Sequence, residues 1–317
     1  MLYILKMVQR RILTNYFKDL SISDGSKKTY NYALRRLKDL SPNQDLTIIN
    51  DPNKLDLIIS KIARKSRQIT YTAVINYLKV NDKDNLKLLT EYRQRASDTQ
   101  KQITRDRMTQ KLDKKIVDNF VFLKDLKKVS CLISKDIQKV QDQTSNTFYK
   151  LTQWHLIVNL YIKYPIRLDF GDMEIIKLKD YNKLEDKNTT NYLILDKTKI
   201  YVQLNKYKNV ERHGQIRYEI TRYLKTLIKR WLKIQPDNNL SFLKNYRTKK
   251  PMLRQGLHDT LKSIFKKYLN LSNAGVNAIR HARITELNKG QKNLKEKNKE
   301  CAQFLHSQFE HELYRNL

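Results

Sequence analysis

Residues 191–208 read NYLILDKTKIYVQLNKYK, and their reading decides the fold. Residues 191–196 (NYLILD) and 199–206 (KIYVQLNK) are rich in β-branched and aromatic side chains that alternate with polar ones, the pattern of half-buried strands. Lys197 and Thr198 between them suit a tight turn, so the stretch predicts a β-hairpin. On both sides the period lengthens to that of a helix. Upstream, helical pattern runs over residues 111–128 and again over 145–164, the second stretch with Phe148, Leu151, Trp154, Ile157, Val158 and Tyr161 on its apolar face. Downstream it resumes over 217–234, with Ile220, Leu224, Leu227, Ile228 and Trp231, and continues over 254–269, 276–287 and 295–313. Six Gly and five Pro in 317 residues leave few chain-reversing signals. The expected fold class is therefore mainly α, with a small β-hairpin or sheet inserted among helices.

The N-terminal third is patterned as a separate helical body. From Ser26, the segment SKKTYNYALRRLKDL places Tyr30, Ala33, Leu34 and Leu37 on one helical face and Lys28, Arg35, Arg36 and Lys38 largely elsewhere. Asp51 followed by Pro52 is a cap and first-turn signal for a second helix carrying Leu55, Ile58, Ile59 and Ile62. A third carries Ile69, Val74, Ile75 and Leu78, and a fourth Leu86, Leu89 and Tyr92. Beyond Tyr92 the sequence RQRASDTQKQITRDRMTQK has little apolar content and suits a solvated linker or a helix lying on a polyanion. The domain boundary is placed there, giving residues 1–110 and 111–317.

Charge points to the partner. Lys plus Arg number 64 against 32 Asp plus Glu, a formal charge of +32. AT-rich coding would raise Glu along with Lys and Asn, so coding bias leaves the excess unexplained. Such a chain attracts phosphate backbones, and its binding weakens steeply with salt. Double-stranded DNA is the expected partner, ahead of an anionic membrane surface. No apolar run reaches the ~18 residues that span a bilayer, and residues 1–13 lack a small-residue cleavage site. Cys131 and Cys301 match no metal-ligand spacing. The expectation is an intracellular, soluble protein with reduced thiols.

Four segments carry the chemistry when taken together: Tyr164-Pro-Ile-Arg167-Leu-Asp169, Asn205-Lys206-Tyr207-Lys208, Asn277-Ala-Ile-Arg280-His281, and Phe304-Leu-His306 followed by Tyr314. In this order and spacing they resemble the active-site boxes of the tyrosine recombinase or phage integrase family, particularly its divergent members from large DNA viruses, virophages and related mobile elements. The resemblance implies an N-terminal helical DNA-binding domain and a C-terminal catalytic domain. It implies that Arg167 and Arg280 are the two catalytic arginines, that Lys208, or else Lys206, is the general acid of the hairpin, and that His306 is the late active-site histidine. Tyr314 is then the nucleophile, eight residues beyond His306. Asn277 stands where the family usually carries His or Lys. Asn donates a hydrogen bond but exchanges no proton near neutral pH. His281 is expected to be mainly structural.

These residue types suit one reaction. Attack of a phenol oxygen on a phosphodiester builds charge on the phosphate oxygens, and two guanidinium groups clamp it without losing protons. A phosphotyrosyl product retains the energy of the broken bond and permits religation without ATP or metal. The resemblance thus implies site-specific DNA recombination or integration through a 3′-phosphotyrosyl intermediate. It also implies a homotetramer on two DNA sites, acting in a host nucleus or a cytoplasmic virus factory if the element is viral. Only three residues follow Tyr314, which leaves little tail for packing on a neighbouring protomer. Three alternatives stand beside this reading: an inactive DNA-binding protein of the same layout, a type IB topoisomerase-like strand transferase, and a metal nuclease using Asp169, Asp172 and Glu174. For the last, the competing reading pairs those acids with nearby lysines. No P-loop, GxGxxG, HExxH or GxSxG motif occurs, so no cofactor is expected.

Overall fold

A computed structural model describes residues 15–108, 119–235 and 240–288. The chain divides into two compact units, residues 1–111 and 112–317. In the first, α1 (Asp24–Leu40), α2 (Pro52–Ile59), α3 (Arg64–Asn81) and α4 (Leu86–Met108) surround a core of Phe17, Leu34, Leu37, Leu55, Val74, Leu89 and Tyr92. Local chemistry sets the ends. The Ser23 hydroxyl accepts from the Ser26 amide at 3.2 Å and starts α1, while Asp51 caps α2 through the Lys54 amide at 3.1 Å, with Pro52 in the first turn. The polar sequence after Tyr92 is helical to Met108, and its buried residue Ile103 ties that extension to the protein interior.

The second unit is built on α6 (Asn146–Lys163), which packs against α5 (Leu123–Gln138). Every residue of α6 from Leu151 to Tyr161 is buried, as befits a helix that is apolar all round. Its interior polar groups are satisfied: Asn159 donates to the Ser130 hydroxyl at 2.9 Å and to the His155 carbonyl at 2.7 Å. Residues 119–122 precede α5 without being helical, and the Asp125 carboxylate accepts from the Phe122 amide at 3.0 Å to open the helix there. The pattern expected to end at residue 128 therefore continues to Gln138, while residues 111–118 lie outside the described residues.

The hairpin forms as β2 (Tyr192–Leu195) and β3 (Ile200–Leu204), closed by the Asp196 amide donating to the Lys199 carbonyl at 2.9 Å. It is the centre of a four-stranded sheet in the order β1-β2-β3-β4. β1 (Glu174–Lys177) runs parallel to β2 through a crossover that includes α7 (Leu178–Asn182), and β4 (Ile216–Glu219) is antiparallel to β3. The short α8 (Val210–His213) lies between β3 and β4. Two expectations are corrected here. Residues 217–219 are strand and not helix, because Ile216 and Tyr218 turn toward the interior and Arg217 and Glu219 outward, and α9 (Arg222–Lys233) begins after Thr221. Lys206 lies beyond the end of β3, since side chains at 205–207 bond to the 190–191 segment and to Gly214 instead of extending the ladder. α10 (Arg254–Leu269) and α11 (Val276–Asn288) complete the unit. α10 stops at Asn270, which takes the left-handed conformation with φ 57°. The proposed helix at 295–313 lies outside the described residues.

Candidate active site

A cleft of about 670 Å³ opens in the second unit. One wall is the connection between α6 and β1, which carries Arg167, Leu168 and Asp169. Pro165 and the burial of Ile166 and Phe170 fix this connection on both sides of Arg167. Tyr161 donates from its hydroxyl to the Arg167 carbonyl at 2.8 Å and packs edge-on against Phe170 at 5.4 Å between ring centroids. The backbone of Arg167 is thereby held while its side chain reaches the cleft. Its buried Nη1 has no hydrogen-bond partner among the described residues, which leaves one edge of the guanidinium for an acceptor from outside, such as a phosphate oxygen.

Lys208 reaches the same cleft from the turn after β3. An amide network holds that turn. The Asn191 carbonyl oxygen accepts from the backbone amides of Asn205 and Lys206 at 2.9 and 2.8 Å, and its Nδ2 donates to the Lys206 carbonyl at 3.0 Å. Asn205 donates to the Thr190 carbonyl at 3.0 Å, and the Tyr207 hydroxyl to the Gly214 carbonyl at 2.6 Å. Lys206 and Lys208 are both exposed, but Lys208 lines the cleft, while Lys206 gives its backbone carbonyl to Asn191 and Arg254.

The opposite wall is α10 and the start of α11. Arg254 ties the two walls together: its Nη2 lies 3.1 Å from Asp169 Oδ1 and its Nε 3.2 Å from Asp172 Oδ2. The acids of this loop are thus paired with an arginine, a correction to the expected pairing with lysines. Contact is close enough to require glycine, since a Cβ on Gly171 would meet the backbone of Arg254 at 2.9 Å. Asp169 is 2 % exposed. Burial pushes its carboxyl pKa up, opposed chiefly by the Arg254 guanidinium. Four turns of sequence around residues 273–278 bring the amino-terminal end of α11 to the cleft, with Asn277 and Ala278 lining it, and this end carries the positive pole of the helix.

Arg280 is placed differently from the other predicted residues. At 2 % exposure it is buried behind the wall, where its charge favours ionisation of Asp169 and of Tyr161. His281 lines the cleft. Burial, assisted by the neighbouring Arg280, lowers its pKa to about 4, so its imidazole is neutral at neutral pH. His306 and Tyr314 lie outside the described residues. Sequence reasoning missed Arg254 and His258, both of which line the cleft. Their spacing of four residues on a helix that the periodicity did locate was the signal for them.

The arrangement is a basic cleft with an arginine donor, a lysine, a helix amino-terminus and two imidazoles, suited to receiving a phosphodiester. No protein-family model and no curated protein matches the sequence. Solved structures do match in fold. The XerH site-specific recombinase bound to palindromic difH substrate, a post-cleavage complex, gives a TM-score of 0.55 at 14% identity, covering 92% of this chain and 76% of that one. The same recombinase in a pre-cleavage complex with difH gives 0.53 at 12% identity, covering 91% and 76%. The chain, mainly helical with one small sheet, has the tyrosine recombinase fold.

Proposed function

We propose that the protein is a site-specific DNA recombinase that cuts and rejoins strands through a 3′-phosphotyrosyl intermediate on Tyr314, without metal or ATP. The observation that carries this reading is the convergence of Arg167 and Lys208 on one cleft, from segments separated by strands β1 to β3, within a fold shared with recombinases. Arg167 would bind a non-bridging phosphate oxygen, and Lys208 would protonate the leaving 5′ oxygen. Arg280, with His306, would add charge stabilisation. The first unit would contribute phosphate contacts through its basic helices, and the +32 charge supports DNA as the partner. Assembly as a homotetramer on two sites, and integration of a viral or other mobile element inside a host cell, complete the proposal.

Trapping on nicked duplexes in the presence of EDTA tests it. The wild-type chain is expected to form an SDS-resistant DNA complex, and Arg167→Ala to form ~10² to 10³-fold less. A complex formed only with added divalent metal would point to a nuclease instead. The second reading, a DNA-binding protein without strand-transfer activity, is favoured by Asn277, which lines the cleft and cannot exchange a proton. Tight DNA binding with no trapped complex on any nicked duplex would support it.

A further inference from the structure

Resting on the recombinase reading above, we propose that His258 of α10 is a catalytic residue that takes up and returns a proton during strand cleavage, the role that Asn277 cannot perform. Nothing in the sequence spacing marks this histidine, because it lies 22 residues before Arg280 and on a different helix. The fold nevertheless brings it to the same place. His258 and Asn277 both line the cleft that receives Arg167 and Lys208. The ring sits against the start of α11, where a Cβ on Gly275 would lie 3.3 Å from Cε1 and 3.5 Å from Nδ1. Gly275 has a negative φ, so it is space for this imidazole, and no backbone requirement, that the glycine supplies.

The helix that carries His258 is firmly held. Arg254, one turn earlier on the same face, is bound to Asp169 and Asp172, and Leu257 and Leu261 on the buried face have no exposure. A half-buried imidazole on a rigid helix, open to the cleft, meets the geometric requirements of a general base. The charged and titratable groups around it are Arg254 on its own helix, Arg167 and Asp169 on the α6–β1 connection, Lys208 after β3 and His281 on α11. Among these, His281 is held neutral by burial, the arginines do not exchange protons, and Asp169 is engaged by Arg254.

In the proposed step the tyrosine oxygen forms a bond to phosphorus as the bond from phosphorus to the 5′ oxygen breaks. The phenol proton passes to His258, and the 5′ oxygen takes a proton from Lys208. Religation reverses both transfers, so no oxidant, metal or nucleotide is consumed.

The test measures the rate of covalent complex formation on a nicked duplex for the full chain. His258→Ala is expected to lose ~10² to 10⁴-fold in rate, with DNA affinity within about threefold of wild type because the loss is confined to the transition state. Adding Asn277→His to that variant should restore at least ~10-fold, since it returns an imidazole to the same cleft. His258→Gln should flatten the rise of the rate across the histidine titration range. A structural role for the ring predicts the reverse: no rescue by Asn277→His and an unchanged pH profile in His258→Gln, and that result would overturn the proposal. Retention of the wild-type rate in His258→Ala would overturn it too, leaving the recombinase reading intact. If the wild-type chain binds the duplex and forms no covalent complex, both readings fall together.

Discussion

Arg167 shows how a single side chain is prepared for an anion. Its carbonyl is held by Tyr161, Ile166 and Phe170 anchor its two sides, and a buried guanidinium nitrogen is left without a partner among the described residues. Lysine in its place keeps the charge and loses the fork that grips two oxygens. Arg167→Lys is therefore expected to retain DNA affinity yet lose ~10-fold or more in covalent complex formation, measured on the same nicked duplexes. His155 gives a different prediction. It is 7 % exposed within α6, and burial, with the nearby Arg230 charge second, lowers its pKa to about 4. An unfolded histidine titrates near 6.5, so below that pH the unfolded state binds the extra proton first. Stability conferred by the neutral ring is thus present above pH ~6.5 and is lost as pH falls toward 4, by up to about 3 kcal/mol. Urea unfolding of wild type and His155→Gln across this range should show the steeper acid loss in wild type. Parallel curves would contradict the assignment.

At the scale of elements, much was legible because the signals were local. Ser145 accepts from the Phe148 amide at 3.2 Å and begins α6 one residue from where the pattern placed it, and Asp51-Pro52 begins α2. β1 and β4 escaped because each is four residues long, too short for alternation to stand out. β1, moreover, finds its parallel partner only through a crossover. Arg254 was illegible for a different reason. It is one of 64 basic residues, and what distinguishes it is contact with Asp169 and Asp172, more than 80 positions earlier. That contact makes Gly171 sensitive. Gly171→Ala would drive a Cβ into the backbone of α10 and should destabilise the protein by about 1–3 kcal/mol in denaturant unfolding. Asn191→Ala should leave the amides of Asn205 and Lys206 without their acceptor, at a cost of about 1–3 kcal/mol. It should also slow covalent complex formation by loosening the turn that presents Lys208.

For the whole molecule, composition already pointed to a polyanion, and no helix among the described residues is long and apolar enough to cross a membrane. The two-unit layout was legible from the fall in apolar content after Tyr92. The unit division at residue 111 follows a helix that continues well beyond that point. The paired acids and the buried Arg280 were not legible, since both depend on which segments the fold brings together. With a charge of +32, affinity for duplex DNA should fall ~10³ to 10⁵-fold between 50 and 200 mM salt if 6 to 10 phosphates are contacted. A shallow salt dependence would argue against an electrostatic partner of this kind.

The most direct test of the central claim is to locate the covalent bond. The chain would be incubated with nicked duplexes cut from DNA of its source in EDTA, quenched in SDS and digested, and its peptides searched by mass spectrometry for a nucleotide adduct. The account predicts a nucleotide on Tyr314, absent from Tyr314→Phe. DNA binding with no adduct on any tyrosine would contradict it.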